Sequence, residues 1–155
     1  MERRDFLASG SGAAALALAS VAGVAPAHAQ NTPGWNKAAF ETKSLADAAK
    51  AMGATSAPVE SKDLLLQAPE IAENGSVVRV GAQSNIANTS QISFIVEKNP
   101  SALAASFDIP AGTDASVSTN IKMGQSSNVF ALAKAGDKYY YAVKEVKVTL
   151  GGCGG

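Results

Sequence analysis

The residue best placed to do chemistry is the only cysteine of the chain, Cys153. It stands in the run Gly151-Gly152-Cys153-Gly154-Gly155. Glycine has wide backbone freedom and no side chain to bury, so this run is predicted to lie outside the folded core as a flexible arm, residues 151–155. A catalytic cysteine needs a base held in fixed geometry, which such an arm cannot provide. The pattern therefore favours a carrier that bonds a group to Cys153 and presents it to the active sites of other enzymes.

Two other hypotheses for the cysteine stay open. In the first, the protein is a structural or interaction module and Cys153 forms an interchain disulfide. In the second, the protein is a periplasmic small-molecule binder that uses a pocket in its fold and not the thiol. The variant Cys153→Ser separates the three: it would abolish carriage with the fold intact, remove only covalent dimerisation from the disulfide-linked module, and leave the binder unchanged.

Composition excludes several classes of protein. The chain has 155 residues, with 13 basic and 13 acidic side chains, so its formal net charge is zero. Nucleic-acid binding rests on clustered Lys and Arg, and none is expected here. With 46% hydrophobic and 17% charged residues, the chain is predicted to fold as one domain and not to be disordered.

The first 29 residues are predicted to be an export signal. The start Glu2-Arg3-Arg4-Asp5-Phe6-Leu7 precedes an apolar run at 8–25, and Ala27-His28-Ala29 fits a small-x-small cleavage site. Paired arginines are typical of the twin-arginine pathway, so a periplasmic protein beginning near Gln30 is expected. No later run approaches the ~20 apolar residues that span a bilayer, and no membrane association is expected after cleavage.

Cleavage would also remove the only histidine, His28. The mature chain then has no imidazole for general-base catalysis, for a Ser or Cys triad, or for zinc binding. No catalytic, cofactor-binding or metal-binding residue is predicted, and no cofactor.

The elements that carry the arm are predicted to be two helices followed by strands, in one unit at 30–150. Apolar spacing is helical over 31–53, with Thr32 and Pro33 suited to the start of the first helix. Ser44 and Asp47 fit a capping box for the second helix, and Gly53 fits its end. Trp35 and Phe40 are interpreted as anchors that dock these helices on the core.

Beyond Pro58 the apolar period shortens towards two, which is typical of strands. About seven short strands at intervals of about 8 to 12 residues predict an all-β fold with N-terminal helices, an immunoglobulin-like β-sandwich. Asn74-Gly75 is predicted to be a hairpin turn, and 135–137 a second one. The predicted strand segments are 64–67, 77–80, 92–96, 117–123, 129–133 and 139–150.

The last segment changes phase. Tyr139 and Val143 keep one alternation, whereas Val146 and Leu150 keep the other. A β-bulge near Lys144-Glu145 would produce this shift, and burial of the strand on both faces is the alternative. Lys144 and Lys147 are interpreted as solvated strand-face lysines, with a part in docking to partners as the alternative.

Several stretches together carry a family resemblance. The most specific is 146–155, Val-Lys-Val-Thr-Leu-Gly-Gly-Cys-Gly-Gly. Weaker ones are the twin-arginine start, Ala68-Pro69, Glu73-Asn74-Gly75, Lys98-Asn99-Pro100 and 121–127, Ile-Lys-Met-Gly-Gln-Ser-Ser. On these residues the chain resembles the SoxY family, the sulfur-carrying subunits of the bacterial thiosulfate-oxidising Sox system.

The resemblance implies specific chemistry and partners. Cys153 would be the covalent attachment site for sulfur intermediates, and the protein would form a heterodimer with SoxZ, an immunoglobulin-like protein exported with it. The cytochrome complex SoxAX would join thiosulfate oxidatively to Cys153, and the metal-dependent hydrolase SoxB would then release sulfate and leave a persulfide. In some organisms a sulfur dehydrogenase would oxidise the remaining sulfur. The protein itself would be a substrate carrier and not an enzyme.

Overall fold

Two short helices open the part of the chain that the computed structural model describes, residues 36–149. Helix α1 (Lys37–Phe40) begins after Asn36, whose side chain accepts a hydrogen bond from the backbone N–H of Ala39 at 3.2 Å. The predicted start at Thr32 and Pro33, and the predicted anchor Trp35, lie outside the described residues.

Helix α2 (Leu45–Ala51) has the predicted ends. The Ser44 hydroxyl accepts from the backbone N–H of Asp47 at 3.1 Å and lies 2.7 Å from the Asp47 carboxylate. Gly53 follows the helix with a φ of 100°, a conformation that glycine adopts without strain. No helix in residues 36–149 is long and apolar enough to cross a membrane.

Nine strands follow within residues 36–149, and seven of them are four residues or longer, which agrees with the predicted number of about seven, although no predicted segment covers 103–108. They are β1 (Val59–Glu60), β2 (Leu64–Gln67), β3 (Ile71–Ala72), β4 (Val78–Ser84), β5 (Thr89–Val96), β6 (Leu103–Asp108), β7 (Ser116–Ile121), β8 (Ser127–Ala135) and β9 (Lys138–Val148). One sheet has the order β1-β9-β8-β5-β6, with β3 also paired to β9, and the other has the order β2-β4-β7. The two sheets form the immunoglobulin-like sandwich that the strand spacing predicts.

The larger sheet is covered on both faces. Its inner face packs against the smaller sheet in a core that includes Phe94, Val129 and Val146. Its outer face packs against the two helices, with Leu132 and Tyr139 buried there. The Tyr139 hydroxyl donates to the carbonyl of Met52 at 2.6 Å, which ties α2 to this face.

Burial on two faces explains the phase change in β9. Pairing between β8 and β9 is regular from Ala135↔Lys138 to Ser127↔Val146. The prediction of a bulge at Lys144-Glu145 is therefore wrong. Tyr139 is buried by the helices and Val146 by the smaller sheet, so an unbroken strand has apolar residues in both phases.

The prediction of a hairpin turn at Asn74-Gly75 is also wrong, although β2 and β4, on either side of it, do pair. β2 and β4 are antiparallel, with Leu64 opposite Ser84. The chain between them first crosses to the larger sheet, where β3 runs parallel to the end of β9. The second predicted turn, between β8 and β9, is confirmed, with Gly136 at a φ of 59°.

Candidate functional site at the root of the arm

The last described strand ends two residues before the predicted arm. β9 ends at Val148 and Thr149 is the last described residue. Cys153 and its four glycines, Gly151, Gly152, Gly154 and Gly155, lie outside the described residues. The part of the site that the structure describes is therefore the root of the arm, Val148 and Thr149.

The root is hydrogen-bonded on two sides. On one side the backbone N–H of Thr149 donates to the carbonyl of Ala72 in β3 at 3.0 Å, and its hydroxyl lies 3.4 Å from the carbonyl of Glu73. On the other side the Ser126 hydroxyl accepts from the backbone N–H of Val148 at 2.9 Å and lies 3.4 Å from the Val148 carbonyl. These bonds fix the position of Val148 and Thr149, the last residues that the structure describes before the predicted arm.

Ser126 takes the place of a strand partner. The β8–β9 ladder stops at Ser127↔Val146, so β8 offers no backbone group to Val148. Alternation along β9 points the N–H and C=O of Val148 to the same side as those of Val146, where β8 lies. The Ser126 side chain satisfies both groups and extends the support of β9 by two residues.

Gly75 packs closely against the root. A Cβ on this residue would lie 2.4 Å from the carbonyl oxygen of Met123 and 2.8 Å from Cγ1 of Val148. The backbone N–H of Met123 donates to the Gly75 carbonyl at 2.7 Å, which holds the two segments together. Gly75 lies in a turn in which the N–H of Val77 donates to the Asn74 carbonyl at 3.2 Å, but its φ is not positive, so only glycine fits here because of the close approach.

Asn99 joins two loops beside the root. Its side-chain N–H donates to the carbonyl of Lys122 at 2.7 Å, and its side-chain oxygen accepts from the backbone N–H of Gly124 at 3.1 Å. Next to it, the backbone N–H of Lys98 donates to the Ser127 hydroxyl at 3.0 Å. We call the three segments 73–76, 97–100 and 122–127 the collar.

The collar collects motifs that are distant in the sequence. Glu73-Asn74-Gly75, Lys98-Asn99-Pro100 and most of 121–127 are separate stretches of the chain, and the fold brings them to one end of the sandwich, around the arm root. Sequence reasoning found these motifs but missed the positioning roles of Ser126 and Asn99. Their partners lie 22 to 25 residues away, and no local spacing rule identifies them.

The two lysines near the root differ. The Lys144 side chain is partly buried, and its ammonium donates to the carbonyl of Ala68 at 2.7 Å. The interpretation of Lys144 as a solvated lysine is therefore wrong, because it ties β9 to the crossover that follows β2. Lys147 is exposed, as expected.

The described residues do not present a metal centre. Within 36–149 no three His, Cys, Asp or Glu side chains lie close enough to hold an ion. Two of the three tyrosines of β9 pack within the fold. Tyr139 is 2% exposed in the helix-side core, and the ring of Tyr141 packs edge-on against Phe130 at 5.9 Å between centroids.

Comparison with known proteins gives a family and one informative structure. The model of a family described as sulfur oxidation protein SoxY matches residues 48–153, a range that includes Cys153. The structure of the sulfur carrier protein SoxY from Chlorobium limicola f thiosulfatophilum is 39% identical, with a TM-score of 0.59, over 67% of this chain and 96% of that one.

Two further structures are more distant. Superoxide reductase (neelaredoxin) from Ignicoccus hospitalis is 20% identical over 58% of this chain and 82% of its own, with a TM-score of 0.48. A lytic polysaccharide monooxygenase from Jonesia denitrificans is 18% identical over 48% of this chain and 54% of its own, with a TM-score of 0.36. Likeness at this level carries no argument about function. A search of curated proteins gives no match.

Proposed function

The chain belongs to the SoxY family of sulfur oxidation proteins, and from this membership we propose that it is a sulfur carrier that bonds sulfur covalently to Cys153. The observation that carries the proposal is the fixed root of the arm. The described fold ends at Thr149, hydrogen-bonded to Ala72, four residues before the thiol. Four extended residues reach about 14 Å at most. Cys153 would therefore sweep a short radius around a fixed point, which suits delivery into other active sites.

The proposed loading step is an oxidation. The Cys153 thiol and the outer sulfur of thiosulfate form a disulfide-type bond, the thiol loses its proton, and two electrons pass to an oxidant. SoxAX, a cytochrome complex, is the proposed oxidant. The product is an anionic thiosulfonate on the arm.

The proposed unloading step is a hydrolysis. Water attacks the terminal sulfonate, the bond between the two outer sulfur atoms breaks, and sulfate leaves with the oxygen of the water. A persulfide stays on Cys153. SoxB is the proposed hydrolase, and a sulfur dehydrogenase is proposed to oxidise the remaining sulfur in organisms that have one.

This division of labour makes the protein a substrate and not an enzyme. The arm is built from Gly and Cys alone, so it carries no charged or basic side chain. The positive groups that stabilise an anionic adduct would belong to the partner enzymes, where they can be fixed in position. Small flanking residues leave room for the arm in a narrow cleft.

We also propose the setting in which the carrier works. The arginine pair and small-x-small site within residues 1–29 support export by the twin-arginine pathway and release into the periplasm. Family membership supports a heterodimer with SoxZ. An exported partner without its own signal would explain transport in a folded state.

The intact mass of the periplasmic protein tests the proposal. The protein is isolated without reductant from cells given thiosulfate, beside the variant Cys153→Ser. We expect an added thiosulfate or sulfur group on the wild type that a thiol reductant removes, and no addition on the variant. Because the chain has one cysteine, no second thiol can take the label.

Two outcomes would contradict the proposal. A uniform disulfide-linked homodimer in thiosulfate-oxidising cells would favour the structural role of Cys153. Thiosulfate oxidation at the wild-type rate in cells that contain only Cys153→Ser would exclude carriage altogether.

A further inference from the structure

We propose that β7 is an interaction surface that pairs, antiparallel and about a two-fold axis, with β7 of a second copy of this chain. β7 (Ser116–Ile121) is the last strand of the smaller sheet, in the order β2-β4-β7. The inference goes beyond the proposed function and does not depend on it, because the pairing involves neither Cys153 nor sulfur.

The outer edge of β7 carries open backbone groups. β4 and β7 are antiparallel, and the backbone N–H of Ser84 donates to the Ala115 carbonyl at 2.8 Å, so the odd-numbered residues of β7 exchange hydrogen bonds with β4. The N–H and C=O groups of Ser118 and Asn120 therefore point away from β4. None of these four groups has a hydrogen-bond partner within residues 36–149. An edge of this kind is a template for a strand of another chain.

β7 lacks the usual protection against such pairing. Charged side chains and short strands are two devices that keep exposed sheet edges from pairing. β6 carries Asp108, the part of β9 between its partners β1 and β3 carries Lys144 and Glu145, and β2 has only four residues. β7 has six residues, and none of them is charged or a proline. Among the strand edges within residues 36–149, β7 is therefore the best suited to accept a strand.

The charges at the two ends of β7 favour a second copy as the partner. Asp114 precedes the strand and Lys122 follows it, both are exposed, and neither forms an ion pair within residues 36–149. Antiparallel pairing of two copies brings the Lys122 end of each strand to the Asp114 end of the other. Because the contact is symmetric, this attraction occurs twice.

One register pairs every open group of the edge. If Thr119 faces Thr119 of the second copy across the axis, Ser118 lies opposite Asn120 of the second copy, and their backbone groups form four hydrogen bonds in the dimer. If the axis instead passed through Ser118, the Asn120 carbonyl would face the N–H of Ser116. That N–H already donates to the Asp114 carbonyl at 2.8 Å, so an acceptor would be left without a donor.

The same register matches the side chains on both faces. On the core side Val117 lies opposite Ile121 of the second copy, and the two Thr119 side chains meet, pairings that stabilise antiparallel strands. Val117 and Thr119 are partly exposed in the single chain, so the pairing would bury them further. On the solvent side Lys122 lies diagonal to Asp114 of the second copy, within reach of a long side chain.

Reversal of the end charges tests the identity of the partner. Sedimentation equilibrium of the purified protein, as Cys153→Ser so that no disulfide contributes, measures the dimer dissociation constant. It is run up to about 500 μM, where even a Kd of about 100 μM leaves most chains paired. We expect Asp114→Lys and Lys122→Asp each to raise the Kd about 3- to 30-fold, and the double variant to restore it.

Only a second chain can produce this restoration. Asp114 and Lys122 stand at opposite ends of β7, about 27 Å apart in an extended strand, and so cannot reach each other within one chain. A protein that stays monomeric at about 500 μM would overturn the inference. Failure of the double variant to restore the Kd would overturn it as well.

A proline on the outer edge tests the backbone hydrogen bonds. Asn120→Pro removes an N–H that points away from β4, so the fold should tolerate it. By symmetry the dimer loses two of its four interchain hydrogen bonds, and we expect the Kd to rise tenfold or more. Asn120→Ala keeps the N–H and should change the Kd less than about threefold. Urea unfolding shows whether both variants are folded, and equal Kd values for the two would overturn the inference.

Cross-linking tests the register. In the Cys153→Ser background, Thr119→Cys should give a disulfide-linked dimer on mild oxidation, because the two Cα atoms lie about 4.5 Å apart across the axis. Ser118→Cys is one position away and more exposed, but its two copies would lie about 8 Å apart, too far for a disulfide. Equal yields of cross-linked dimer from the two variants would overturn the proposed pairing.

Discussion

The two ends of the sandwich are built differently. At the collar, side-chain hydrogen bonds join segments that lie 22 to 27 residues apart, through Asn99, Gln125 and Ser126. At the other end, the loops 84–90 and 109–115, which we call the distal loops, hold their side chains by bonds within one loop, two to five residues apart. Side chains of the collar bond across the fold, whereas side chains of each distal loop bond within that loop. Backbone bonds do join the two distal loops, from the N–H of Ser84 to the Ala115 carbonyl at 2.8 Å and from the N–H of Ile109 to the Ser90 carbonyl at 2.9 Å.

This difference lies in the side chains of the two ends. The distal loops line an open cleft of about 530 Å³. The collar borders Val148 and Thr149, so a shift there would move the point from which the predicted arm starts. Ties between distant segments therefore stand where the proposed function needs a fixed point.

The largest expected effect comes from glycine substitutions at the two ends. Gly75→Ala would place a methyl group 2.4 Å from a backbone oxygen of Met123, and we expect a loss of about 3 kcal/mol in the free energy of unfolding. Gly112→Ala in a distal loop has open space but a φ of 82°, so we expect a loss of about 1 kcal/mol from backbone strain alone. Urea unfolding of both variants measures the difference.

A third glycine serves as the control for this pair. Gly124 also lies in the collar, but a Cβ there would meet only the side-chain oxygen of Asn99 at 4.0 Å. Gly124→Ala should change the free energy of unfolding by less than about 0.5 kcal/mol. If Gly75→Ala were as harmless as Gly124→Ala, close packing at the arm root would not be a property of the collar.

The same contrast explains what the sequence could predict. The start of α2 at Ser44, the six predicted strand segments and the turn at 135–137 rest on signals within a few residues, and strands lie at all six segments. The strand β6 was missed, because 103–108 has no clear alternation of apolar and polar residues. Asn74-Gly75 has the composition of a hairpin turn, but the chain there crosses between sheets, and the glycine is required by Met123, which is distant in sequence.

The candidate site divides in the same way. The prediction of an arm at 151–155 with Cys153 in it rests on composition alone, and these residues lie outside those that the structure describes. The collar could not be predicted from the sequence, because the partner of Ser126 depends on where β8 stops pairing with β9. The changed phase of β9 could be explained by a bulge or by burial on both faces. Burial on both faces is correct, because the helices cover the outer face of the sheet, and the sequence near β9 does not show this.

Polar side chains at the two ends give a smaller effect. Asn99→Ala removes two hydrogen bonds between collar loops, and we expect a loss of about 1 to 2 kcal/mol in the free energy of unfolding. Thr113→Ala removes one exposed bond within a distal loop, to the carbonyl of Pro110 at 2.6 Å, and should cost less than about 0.5 kcal/mol. The free energies of unfolding of both variants are measured by thermal and urea unfolding. If Asn99→Ala and Thr113→Ala lost the same amount, the two ends would not differ in this respect.

The smallest expected effect tests whether the support of the arm extends back along β9. Lys144→Met keeps the apolar stem but loses the bond to the Ala68 carbonyl, and we expect a loss of about 1 kcal/mol in urea unfolding. Lys147→Met, three residues nearer the arm on an exposed position, should stay within about 0.5 kcal/mol of the wild type. Lys147 is nearer the predicted arm, yet its substitution should lower the free energy of unfolding less. The loss depends on the contacts that a side chain makes and not on its distance from the arm. The reverse order would mean that the exposed face of β9 supports the root, and that the collar is only part of what holds it.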